Sequence, residues 1–101
     1  MTEEAGMTAE QNVILITEIR TDFQLPPYFP DETIQRSIRF AENRLLTLNE
    51  EADFESDLTA RMLLKNYAYY DLFHKTEEFE KNWKQTIMSW QLQAEGDYES
   101  E

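Results

Sequence analysis

The sequence predicts an all-α protein, a small bundle of three to four helices around one central buried helix at about residues 57–74, with extended acidic termini. Three observations carry this prediction. The three prolines, Pro26, Pro27 and Pro30, fall together and mark one break, and both glycines, Gly6 and Gly96, lie near the ends. Everywhere else the chain is free of helix breakers, and its apolar residues recur at spacings of three and four. Finally, on a helical wheel the stretch DLTARMLLKNYAYYDLFH, residues 57–74, leaves only a narrow polar stripe, Asp57, Arg61 and Lys65. A helix apolar on that many sides has to be wrapped by its neighbours, either from the same chain or from another copy.

At 101 residues the chain reads as one domain: an N-terminal arm over residues 1–11, a helical core over 12–94 and an acidic tail over 95–101. Thr8, Ala9, Glu10 and Gln11 fit a capping box and offer a helix start. The run Val13, Ile14, Leu15, Ile16 is too short for its period to separate strand from helix. A short helix is expected over about residues 17–24, with Ile19 and Phe23 inward. Residues 25–30, LPPYFP, are excluded from helix by their prolines.

Asp31 is the expected cap of the next helix, with Glu32 complementing its dipole. Ile34, Ile38, Ala41, Leu45 and Leu48 follow at amphipathic spacing, giving a helix over about 31–48. Its outer face carries Arg36, Arg39 and Asn43 with Phe40 beside them, either a solvated face or a contact for an acidic partner.

The segment NEEADFESD that follows is an acidic loop without a cation. Read as a calcium loop from Asp53, it puts Leu58 at the glycine position and Leu64 at the bidentate glutamate position, so that pattern fails. After the central helix, Thr76 is the expected cap of a last helix reaching about Gln93, with Phe79, Trp83, Ile87 and Trp90 on its inner stripe and Met88 and Leu92 facing almost the other way. The tail EGDYESE, rich in acids and without a base, is expected to be disordered in isolation.

Charge and chemistry narrow the function. With 21 acidic and 9 basic residues the formal charge is −12, which argues against binding nucleic acid by neutralising phosphates. There is no cysteine and one histidine, His74, so neither a Cys/His nor a histidine-rich metal site can be built in one chain, and no cofactor is expected. His74 reads as a residue favourably placed against the dipole at a helix C-terminus. No nucleophile motif surrounds Ser37, Ser56, Ser89 or Ser100, so no enzyme is expected. Tyr67, Tyr69 and Tyr70 lie on the helix that must be buried, which favours packing over base stacking. No run approaches a membrane span and the first residues lack the order of a signal peptide, so the expectation is a soluble, intracellular protein with no membrane partner.

The order of segments, ILITEIR, a proline-rich turn, FPDETIQRSIRFAENRL, ARMLLKNYAYYDLF and EEFEKNWKQTIMSWQLQ, resembles the small head-tail connector (adaptor) proteins of long-tailed bacteriophages over about residues 13–92. The resemblance implies a non-enzymatic virion subunit that forms a closed ring under the portal protein after DNA packaging. That ring extends the exit channel, lets DNA pass without specific binding, and docks the stopper or tail-completion protein. It implies assembly in the host cytoplasm and residence in the virion neck. Within that frame Glu50, Glu51, Asp53, Glu55 and Asp57 are assigned to the channel lining. Trp90, Leu92, Tyr98 and Glu99 are assigned to portal contact, and Arg36, Arg39, Phe40 and Met88 to the subunit interface. Two other classes stay open: an acidic DNA mimic that inhibits a host nucleic-acid-binding protein, motivated by the charge, and a generic helical interaction module such as an antitoxin or anti-sigma factor.

Overall fold

Two helix ends show how this chain stops its helices without glycine. A computed structural model describes the backbone of residues 9–99 and the side chains of residues 9–93. The first helix, α1 (Ala9–Asp22), closes with Gln24 at φ 51°, the Leu25 amide donating to the Arg20 carbonyl and the Gln24 amide to Thr21. The third, α3 (Leu58–Leu72), closes the same way, with His74 at φ 59°, Lys75 donating to Tyr70 and His74 to Asp71. These are Schellman closures with a side-chain-bearing residue in the left-handed position that usually belongs to glycine. His74 thus sits just beyond the helix as its closing residue.

All secondary structure among the described residues is helical: α1, α2 (Asp31–Leu48), α3, α4 (Thr76–Asn82) and α5 (Lys84–Glu99). The all-α prediction holds, and four of its details are corrected. Helix α1 is already formed at Ala9, well before residue 17, so residues 9–11 of the expected arm are helical; Thr8 lies outside the described residues. Asn12, Leu15, Ile16 and Ile19 form the buried side of α1, which absorbs the apolar run into a helix and leaves Val13 and Ile14 outside, 62 % and 50 % exposed.

At the second correction, Pro30 is the N-cap of α2 in extended conformation, and Asp31 is the first helical residue. The Asp31 carboxylate is drawn instead to Arg20 Nη2 at 2.7 Å, while the same guanidinium donates to the Phe29 carbonyl, tying the proline turn to α1. Third, Lys75 caps α4 where Thr76 was expected, and the last helix is divided at Trp83, whose φ of −107° and ψ of 11° leave the helical range. The division lets Phe79 and Trp83 stack at 5.7 Å on one side of the bend while Ile87 and Trp90 complete the core beyond it. Fourth, α5 continues past Gln93, and its backbone is helical through Glu99.

Helix α2 lays Ile34, Ile38, Ala41 and Leu45, all at 0 % exposure, against Ala60, Leu63, Leu64, Tyr67 and Ala68 of α3. The alanines on both helices allow a close crossing. Helix α3 touches each of the other four helices, as expected of the central element. Its polar stripe does not face solvent. Arg61 and Lys65 turn toward α1, where Arg61 makes a two-pronged contact with Glu18 at 3.2 and 2.7 Å and Lys65 reaches Glu18 at 3.0 Å and Asp22 at 2.8 Å.

Candidate functional site

Position for position, the acidic loop is a folded element. Phe54, 5 % exposed, anchors it in the core. Asp53 accepts the amides of Glu55 and Ser56 and the Ser56 hydroxyl, at 3.0, 3.3 and 2.7 Å, and these bonds, the hydroxyl foremost, hold its carboxyl below the ordinary value. Glu50, Glu51, Asp53 and Glu55 are exposed at the loop surface, and Gln11 of α1 donates to Glu55. Asp57 differs from them. It is the N-cap of α3, accepting from the Thr59 and Ala60 amides at 3.0 and 3.3 Å, while its second oxygen takes the Trp90 indole N–H at 3.2 Å.

Of the residues assigned to portal contact, Trp90 is 3 % exposed and belongs to the core, held by Asp57. Leu92 is 62 % exposed. The side chains of Tyr98 and Glu99 lie outside the described residues. Of the residues assigned to the subunit interface, Arg36, Arg39 and Phe40 are exposed on α2, and Met88 is 48 % exposed on α5. Neither Arg36 nor Arg39 makes an ion pair among the described residues, whereas Arg20, Arg44, Arg61 and Lys65 each do.

The central helix shows a surface that reading the sequence did not isolate. Leu58, Met62, Asn66, Tyr69 and Phe73 follow at spacings of 4, 4, 3 and 4 and share one side of α3. That side faces outward: Leu58 is 77 %, Met62 38 % and Phe73 40 % exposed. From end to end the stripe is about 22 Å long, at roughly 1.5 Å of rise per residue. Its far end runs into an aromatic chain, in which Tyr69 stacks on Phe23 at 4.2 Å, Phe73 meets Tyr69 and Phe29 edge-on at 5.3 and 5.5 Å, and Phe29 stacks on the 77 % exposed Tyr28.

Two shallow grooves flank the stripe. One, against α1, is edged by Asp22, Arg61 and Lys65, where two carboxylates and two cations neutralise one another. Hydrogen bonding from Arg61 and then from Lys65 holds the Glu18 carboxyl below its ordinary value; burial draws Lys65 down, but its bonds to Asp22 and Glu18 outweigh this and raise it. The other groove, against α5, is edged by Thr59, Gln85, Thr86, Ser89 and Gln93, all uncharged. Met88 and Leu92 stand at i and i+4 roughly a third of a turn around α5 from that groove, at 3.6 residues per turn, and form a second apolar surface.

Behind the stripe the core closes on Tyr67. Its ring stacks on Phe79 at 4.2 Å and meets Phe40 edge-on at 5.6 Å, and its hydroxyl donates to Glu80 Oε2 at 2.6 Å, with Arg44 Nε 3.7 Å from the same oxygen. Burial, then that hydrogen bond, pushes the phenol up to about 12. Among the described residues there is no cluster of three side chains suited to hold a metal ion, and no helix long and apolar enough to cross a membrane. Comparison with protein-family models, curated proteins and solved structures gives no match for this chain.

Proposed function

We propose that this chain is a head-tail connector subunit of a long-tailed bacteriophage, built to join copies of itself and to bridge the portal protein to a stopper or tail-completion protein. One observation supports the reading beyond the resemblance of the sequence. A chain of 101 residues folds on itself and still presents two separate apolar surfaces, the α3 stripe and the Met88–Leu92 edge of α5. Two such surfaces fit a connector, which has to touch more than one neighbour.

Charge fits the same role. Glu50, Glu51, Asp53 and Glu55 stand exposed on a loop pinned by Phe54, so copies set around an axis would hold them as a fixed ring of carboxylates. Such a ring repels phosphates and lets a duplex slide without sticking. Asp57 and Trp90 serve this reading as the bracket that fixes the loop to α5, and Leu92 remains the portal-facing candidate with Tyr98 and Glu99. Arg36 and Arg39, with no intrachain ion pair among the described residues, suit the acidic flank of the next copy in a side-to-side contact, and Phe40 and Met88 stay with them as the interface candidates.

The DNA-mimic reading requires rows of free carboxylates at phosphate-like spacing. Glu18, Asp22, Asp31 and Glu80 are instead engaged by cations of the same chain, so this reading ranks second. Co-expression with the portal protein of the same genome tests the choice. The connector reading expects the two to comigrate as one large complex in size-exclusion chromatography. It fails if they elute apart under every assembly condition, whereas capture of a host DNA-binding enzyme released by added DNA would promote the mimic.

A further inference from the structure

The outward stripe of α3 has an internal order that selects its occupant. Counting inward from the two ends, Leu58 pairs with Phe73 and Met62 with Tyr69, each pair being equidistant from a point between residues 65 and 66, and Asn66 lies beside that point. The stripe therefore reads the same in both directions as large apolar, large apolar, polar centre, large apolar, large apolar. Laid against a second copy running the opposite way, every large side chain meets a large side chain and the two Asn66 amides meet near the axis.

Charge points to the same occupant. Two copies at −12 each repel over most of their surfaces, so contact is cheapest where local charge cancels. This face meets that condition. On the α1 side Glu18 and Asp22 are matched by Arg61 and Lys65, and the α5 side offers Gln85, Thr86 and Ser89 without a charge. Along the two sides of the stripe a basic or an acidic partner finds charge that is already matched or absent, whereas a second copy brings the same neutral flanks. Asn66 gives the pairing a register: its amide nitrogen is held by the Met62 carbonyl at 2.9 Å, which leaves the amide oxygen as the group to accept from the other copy.

We infer that the free protein pairs through an antiparallel, two-fold contact of α3 on α3, centred between residues 65 and 66, with Leu58 of one copy against Phe73 of the other and Met62 against Tyr69. The contact is isologous and closes after two copies, so it differs in symmetry from a ring contact; it covers the α3 stripe in the free protein and has to open before the connector uses that stripe for another neighbour. A stripe of this length gives a small interface, which places the pair among concentration-dependent, readily dissociated dimers.

The absence of cysteine from the chain makes a direct test available. Asn66→Cys places one thiol beside the proposed axis, and Met88→Cys places one on the other apolar surface. Mild oxidation of the folded protein is expected to give a covalent dimer from the first and not from the second. In sedimentation equilibrium the unmodified chain should move from 12.1 kDa toward twice that mass with rising concentration, and more readily in high salt, because screening removes the repulsion between two acidic chains. Met62→Glu, which buries a carboxylate twice in a two-fold contact, should weaken pairing about a hundredfold, with its helical circular dichroism unchanged. The proposal is overturned if Asn66→Cys stays monomeric under oxidation, if Met88→Cys cross-links in its place, or if association weakens with salt, which would assign it to charged surfaces elsewhere. Should Met62→Glu lose its helical signal, the cross-linking arm decides alone. None of these measurements involves the portal, so their outcome and that of the connector test are read separately.

Discussion

Asp57 illustrates how much one side chain does in a chain this short. One carboxylate oxygen serves the first turn of α3 and the other holds the Trp90 indole, so a single residue joins the acidic loop, the central helix and α5. Asp57→Ala removes a cap worth about 1 kcal/mol and leaves an indole N–H without its acceptor, for a total loss of about 2–3 kcal/mol. Asp57→Asn keeps most of the capping, and urea denaturation of the two variants should separate them. Tyr67 is the other residue with a readable consequence. It is 1 % exposed, its hydroxyl is bonded to Glu80, and its pKa of about 12 stands above the ordinary 10.0. Between those two values the unfolded chain binds fewer protons than the folded one, so the contribution of Tyr67 is intact below pH 10 and declines as pH rises toward 12. Alkaline denaturation should show that decline in the parent, and Tyr67→Phe should flatten it while losing about 1 kcal/mol at neutral pH.

At the scale of elements, α4 has seven residues and one anchor. Phe79, at 0 % exposure, lies between Tyr67 and Trp83 with Tyr70 edge-on at 5.5 Å. Phe79→Ala should cost about 3–5 kcal/mol and free α4 before the rest of the bundle, seen as amide exchange that is faster in residues 76–82 than in α2. Helix α2 was legible in the sequence because its two sides differ: Ile34, Ile38, Ala41 and Leu45 against Arg36, Arg39 and Asn43. Helix α1 was not, since four consecutive apolar residues, Val13 to Ile16, fit any period, and only packing decides that Leu15 and Ile16 go in while Val13 and Ile14 stay out. The break at Trp83 was hidden for a similar reason, because Phe79, Trp83, Ile87 and Trp90 keep helical spacing across it. On α3 the wheel is apolar in almost every direction and cannot say which one faces water. Packing makes that choice: Ala60, Leu63, Leu64, Tyr67 and Ala68 are buried and Arg61 and Lys65 meet Glu18 and Asp22 of α1, which leaves Leu58, Met62 and Phe73 outward.

The whole molecule sorts its charge from its apolar surface. The loop carboxylates stand at one end of α2 and α3, the α3 stripe is bordered by cancelled or absent charge, and the Met88–Leu92 edge lies on a different side of α5. Such sorting suits a part that meets neighbours through some surfaces and keeps a phosphate backbone away with others. The proposed connector role ties these features together at this scale: one small chain with several surfaces for its neighbours. Its most direct test is an electron-microscopic image of the chain mixed with the portal protein of its own genome. The account predicts a collar of copies added beneath the portal, coaxial with its channel and open at the centre. Portal particles that look the same with and without the chain, at concentrations where it is folded and in excess, would contradict it.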